Sequence, residues 1–274
     1  MNGLESAVVL SSALAATGMV IETGELLAGR RFVLDRAFNW PLIETRYYIL
    51  AHRPRTRAVF RAVFGSRRTV PLLVAAHAVA AVGYPLAITT AAPLAAACGL
   101  FVLTVHLMLH LRFLVGMDGA DQMQTVLWAG LFVYSLTDDE RVRLAAVSFV
   151  VAQLLLSYIV AGVAKAASPT WRSGRAVALI VRTQGYGVRG ARELLSVPLI
   201  SAAACWATIA FELGAPVLFA LTALTAPALV VLIASGILFH LSIALVMGLP
   251  SFIWSFLGTY PLLWALPYAT GLVR

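Results

Sequence analysis

The chain returns repeatedly to apolar runs of about the length that crosses a bilayer, and that recurrence limits its fold more than any motif does. A spanning helix takes about 20 mainly apolar residues. Such runs lie near 4–27, 70–88, 93–111, 122–136, 144–166, 197–222, 226–247 and 251–272. The fourth is short, and a Gly-Leu-Pro break at 248–250 separates the last two, marking either a tight hairpin or a kinked continuation. The expected fold is therefore all-α: a polytopic helical membrane bundle of about eight spans with additional interfacial helices. No internal repeat, low-complexity tract or linker divides it, so residues 1–274 read as a single integral membrane domain.

Composition agrees. With 61% hydrophobic and 12% charged residues and a mean hydropathy of +0.90, the chain has more apolar surface than a soluble core of 274 residues can hide. The first run is long enough to stay in the membrane as a span rather than act as a cleaved leader. The net charge of +8 comes almost wholly from arginine. Its natural acidic partner is the phosphate layer of the membrane lipids, and nucleic acid is not an expected partner.

Arginine also sets an expected orientation. Segment 30–68 holds ten arginines, Arg112 adds one and segment 172–192 five; with eight spans these sixteen share one face, against Arg141, Arg143 and Arg274 on the other. By the positive-inside tendency the arginine-rich face is cytoplasmic and both termini lie outside. Interfacial segments are expected near 31–68 and 167–196. Within them, residues 31–50 interleave Phe32, Phe38, Trp40, Tyr47 and Tyr48 with Arg31, Arg36 and Arg46, and Trp171 beside Arg172 and Arg175 repeats the mixture. That pattern suits helices lying in the headgroup layer, where aromatic rings anchor.

Ionisable groups inside spans are costly, so their depths carry information. Glu22, Glu25, His106, His110, Asp118, Asp121, Lys165 and His240 all fall toward the arginine-rich half, as a polar cavity opening on one side requires; interfacial caps account for part of the same bias. His106 and His110 form HxxxH on one helix face, a spacing that can begin a metal site. The sequence supplies neither a third and fourth ligand nor HExxH, so no metal is expected. Cys98 and Cys205, without CxxC spacing and placed toward opposite faces, read as unpaired apolar residues.

The run YIVAGVAKAASPTWRSG at 158–174 carries the sharpest question. Lys165 can snorkel to the membrane surface, or it can serve as a base. Tyr158 lies two turns before it on the same face, with Ala161 and Gly162 small enough for a helix or a ligand to approach the amine. On the sixth span Ser201, Cys205, Thr208 and Glu212 recur at helical spacing and aim Glu212 into the bundle. There it is either protonated, paired across the bundle, or interhelical hydrogen-bonding glue.

The AG-x-x-K run ending in Lys165, followed by W-x-x-G at Trp171 and Gly174, resembles the membrane domain of vitamin K-dependent gamma-glutamyl carboxylases and their bacterial HTTM (horizontally transferred transmembrane domain) relatives. Phe211-Glu212-Leu213-Gly214-Ala215-Pro216 and Phe239-His240 extend the likeness in the same segment order. The resemblance implies a bacterial plasma-membrane protein with a polar intramembrane cavity. Lys165 would be the base that initiates oxidation of a quinol, His240 a residue that orients the quinol or stabilises charge, and Tyr158, Trp171, Glu212 and Asp121 ligand-binding residues. A further family histidine is replaced near Asp121-Gln122, and the sequence stops at Arg274 without the large lumenal region, so peptidyl-glutamate carboxylation is not expected to carry over. The family places the Lys165 face outside the cytoplasm, opposite to the arginine count. The competing expectation is a non-enzymatic accessory subunit of a membrane complex, or a helper in maturation or export of a secreted peptide. Transport is weaker, for want of repeated halves and paired broken helices.

Overall fold

The computed structural model describes residues 3–28, 47, 51–66, 68–112, 118–183 and 186–273. Over these the chain is helical: α1 (Gly3–Ala28), α2 (Pro54–Phe64), α3 (Thr69–Ala87), α4 (Ala92–Arg112), α5 (Gly119–Ser135), α6 (Glu140–Ala167), α7 (Pro169–Arg172), α8 (Ala176–Ile180), α9 (Arg189–Leu194), α10 (Pro198–Leu221), α11 (Pro227–Met247), α12 (Pro250–Leu257) and α13 (Tyr260–Ala269). Six of them, α1, α3, α4, α6, α10 and α11, are long and apolar enough to cross a membrane. α5 has 17 residues, and the last apolar run is divided between α12 and α13.

The surface has the polarity of a membrane protein. Leu72, Val79, Leu86, Leu199, Leu238 and Leu245 are exposed, while Ser11, Ser12, His77, Gln124, Glu212 and His240 are buried. In water that arrangement would leave large apolar patches uncovered, whereas in lipid it satisfies the backbone within helices and hides the polar side chains between them. The chain is an integral membrane protein.

Prolines and glycines set the helix ends. Pro198, Pro227 and Pro250 each open a helix, where the missing N–H costs no intrahelical bond. Gly248, at φ 74°, closes α11 in the left-handed conformation, which glycine adopts without a side-chain clash. α5 opens with a reciprocal cap: the Asp118 carboxylate accepts from the Ala120 and Asp121 amides, and Asp121 accepts from the Asp118 amide at 3.1 Å.

Two compact units emerge, one comprising Met1–Ser11 with Leu144–Arg274, the other Ser12–Arg143. In the second, α3 packs on α4 and α4 on α5. The Tyr84 hydroxyl donates to the Leu131 carbonyl, and the Tyr84 ring stands edge-on to Trp128 at 5.6 Å. α2 turns Phe60 and Phe64 into a cluster with Val70, Val74, Val105 and Leu109, and exposes Arg55 and Arg61. In the first unit α10 packs on α11 and α11 on α12.

Of the two expected interfacial segments, 31–68 is described at Tyr47, 51–66 and 68, where it holds α2 of 11 residues; the rest of it, including nearly all of 31–50, lies outside the described residues. The other contains α7, α8 and α9, of four, five and six residues. None is long enough to cross a bilayer. Both cysteines are free.

Candidate functional site

The ionisable residues singled out in the sequence fall into two sets, one within each unit. The first is built on the inward face of α6. Tyr158 and Gly162 are buried there and Lys165 follows three residues on. Gly162 is the closest approach: a Cβ at that position would stand 3.0 Å from the Glu212 Cβ and 2.9 Å from Leu213 Cδ2. Only a residue without a side chain lets α10 lie this near, and the consequence is an ion pair. Lys165 Nζ donates to both carboxylate oxygens of Glu212, at 2.6 and 2.8 Å. Glu212 is the more buried partner, with side-chain exposures of 22% for Lys165 and 5% for Glu212. The ammonium also lies 5.3 Å from the centroid of the Trp171 ring, within range of a cation–π attraction.

The W-x-x-G motif has a structural reason as well. Gly174 sits at φ 73°, and a Cβ there would lie 2.6 Å from the Ala202 Cα. Its carbonyl accepts from Ser201 Oγ at 2.6 Å. Trp171 is thus held near Lys165 by a turn that is itself fastened to α10. Ser201, Cys205 and Glu212 of the expected stripe are all buried, with Thr208 half-buried beside them.

Two turns below Lys165, the Tyr158 hydroxyl lies 3.0 Å from His240 Nε2 and 3.0 Å from the Tyr260 hydroxyl. His240 Nδ1 is buried and has no hydrogen-bond partner among the described residues, an expensive condition for a polar atom away from water. Aromatic rings enclose the group: Phe256 stacks on His240 at 3.8 Å, Phe211 meets Tyr158 at 5.1 Å, and Phe239 lies 4.5 Å from Phe211. Tyr260 and Phe256 were not among the sequence candidates. Tyrosine and phenylalanine are ordinary in an apolar run, and only packing distinguishes these two. The one local signal is Gly236, whose absent side chain makes room for Tyr260: a Cβ would stand 2.8 Å from the ring carbon bearing the hydroxyl.

The second set lies within Ser12–Arg143. His106 and His110 Nε2 are 3.0 Å apart, with ring centroids at 4.3 Å and edge-on. His106 Nε2 is also 3.3 Å from the Asp121 carbonyl oxygen, and His110 Nδ1 is 4.0 Å from the Asp121 carboxylate. The His77 ring runs nearly parallel to His106 at 6.1 Å, and its buried Nε2 has no partner among the described residues. Glu22 has Asp121, Asp118 and Glu25 as its charged neighbours. Among the described residues, no three His, Cys, Asp or Glu side chains are placed to hold one metal ion.

Lys165, Glu212 and Trp171 thus form one group, Tyr158, His240 and Tyr260 a second on the same helix two turns away, and within its own unit Asp121 lies by the histidine pair. No family model matches the chain, and the comparisons with curated proteins and with solved structures found no match.

Proposed function

We propose that the chain is a bacterial-type HTTM membrane protein of about eight spans, in the bacterial plasma membrane, whose lysine site performs base-assisted chemistry on a quinol or a similar lipid-soluble hydroxyl compound. The observation that carries the reading is the doubly bonded Lys165–Glu212 contact, together with a buried His240 Nδ1 that bonds to no described residue and is linked to the same helix through Tyr158. A proton passed from Lys165 to Glu212 leaves a neutral amine and a neutral acid, with no net change of buried charge. The amine then takes the hydroxyl proton of the quinol, giving ammonium and quinolate. Oxidation of the quinolate needs an electron acceptor, which the family resemblance identifies as dioxygen. His240 Nδ1 supplies the remaining polar contact, donating to or accepting from a ligand oxygen according to its tautomer. The enclosing aromatic rings suit a flat apolar ligand.

A second reading has its own support. The Lys165 ammonium is satisfied by two carboxylate oxygens and a tryptophan face, the arrangement of a charge that fastens helices together. On that reading the protein is an accessory subunit, and its partner is another chain of a membrane complex.

Lys165→Arg separates the two. Guanidinium keeps the charge and the bidentate bond to Glu212 but stays protonated across the useful pH range. Under the base reading, Lys165→Arg and Lys165→Ala both abolish oxidation of an added quinol, and quinones or lipids co-purifying with the wild type identify the ligand by mass spectrometry. If Arg preserves every activity and partner that Ala removes, the accessory reading replaces the enzymatic one.

A further inference from the structure

The histidine pair lies within Ser12–Arg143, and its geometry calls for a separate account. His106 is 3% exposed and the His110 side chain 11%, so neither imidazole is solvated as a surface histidine is. One helix turn apart on α4, they turn the same atom, Nε2, toward each other at 3.0 Å. Two nitrogens bound to one zinc ion at about 2.0–2.1 Å stand about 2.9 Å apart at a right angle and about 3.3 Å apart at the tetrahedral angle. The observed separation falls between these values. The surroundings favour a cation: the Asp121 carboxylate lies 4.0 Å from His110 Nδ1, beyond direct hydrogen-bonding distance, where its charge raises the basicity of a metal-binding histidine. Asp118 is a further charged neighbour of His110. His77 presents a further buried and unpartnered Nε2 next to His106.

We propose that His106 and His110 are a binding site for a divalent transition ion of the zinc type, held through their two Nε2 atoms, with Asp121 as the positioning carboxylate behind His110. Among the described residues no third His, Cys, Asp or Glu stands in ligand position, and water or an external donor would fill the ion's remaining positions. Imidazole ligands select zinc, copper or nickel over magnesium or calcium.

The test uses the full chain, purified in detergent with any polyhistidine tag removed, and Zn²⁺ followed by calorimetry with Co²⁺ as the absorbing stand-in. The expected result is one ion per chain, bound at least about tenfold more weakly in His106→Ala and in His110→Ala, and about tenfold more weakly in Asp121→Asn. Lys165→Arg, in the other unit, should leave the stoichiometry unchanged, so failure here is distinct from failure of the quinol reading. Should the alanine variants not remain monodisperse, His110→Gln replaces the imidazole at the more exposed position. A wild-type chain that takes up no stoichiometric ion overturns the proposal, as does one that binds the ion as tightly when either histidine is gone.

Discussion

Gly162 fixes the lysine site more firmly than either charged residue does, because the distance between α6 and α10 depends on its lack of a side chain. The nearest atom to an added methyl group is Leu213 Cδ2 at 2.9 Å, the end of a side chain that can turn away, but the Glu212 Cβ at 3.0 Å is bonded to the backbone and cannot swing aside. Gly162→Ala should therefore separate the helices at Lys165 and cost about 1–3 kcal/mol, the usual range for overpacking. Unfolding in detergent followed by tryptophan fluorescence measures it, and a variant as stable as wild type contradicts the close approach. Removing Lys165 itself is costlier: Lys165→Ala leaves the buried Glu212 carboxylate unpaired, at about 3–5 kcal/mol, whereas Lys165→Met/Glu212→Leu should recover most of that loss. A double variant no more stable than Lys165→Ala would mean that the pair is not what the carboxylate loses. Gly236 plays the corresponding part lower down. Gly236→Ala pushes the Tyr260 ring away and breaks its bond to Tyr158, so it should destabilise more than Tyr260→Phe, which removes the hydroxyl alone at about 0.5–1.5 kcal/mol.

At the scale of elements, α10 shows how sequence and site are joined. Pro216 lies inside this helix and has no N–H to give the carbonyl four residues back, which is that of Glu212. The helix is loosened at the residue whose side chain meets Lys165. Pro216→Ala supplies the missing bond; the helix should gain stability while quinol turnover falls, and a variant with unchanged turnover would mean that the loosened carbonyl has no part in placing Glu212. Much of this architecture was legible beforehand. Apolar length located α1, α3, α4, α6, α10 and α11 to within a few residues, and helical spacing placed Ser201, Cys205 and Glu212 on one buried face. It did not show that the final apolar run is split into α12 and α13, because hydropathy is blind to a break at Gly258 and Thr259 when both flanks are equally apolar. Nor did it pair Lys165 with Glu212 or bring Tyr260 to Tyr158, since these contacts join residues 47 and 102 positions apart. Such partners are set by packing, for which one sequence carries no local signal.

For the whole molecule, the open question of six or eight crossings has a direct consequence for sidedness. Both numbers are even, so the termini share a face in either case and cannot tell the two apart. The segment holding α7, α8 and α9 can. If α5 crosses the membrane, that segment returns to the face occupied by α2, and the arginines at 172–192 join those at 30–68. If α5 lies within the bundle without crossing, the segment emerges on the opposite face and the arginines are divided. Charge favours the first arrangement, since it gathers sixteen arginines on one side. The exposed positions Ala62, Asp139 and Thr183 report on it. In a background with Cys98→Ser and Cys205→Ala, cysteines introduced singly at these sites and treated with a membrane-impermeant maleimide should divide in one way: Ala62→Cys and Thr183→Cys react from the same side, and Asp139→Cys from the other. Reaction of Ala62→Cys and Asp139→Cys from one side with Thr183→Cys opposed would instead place α5 as a non-crossing helix, and with it the lysine site's W-x-x-G turn would lie across the membrane from α2.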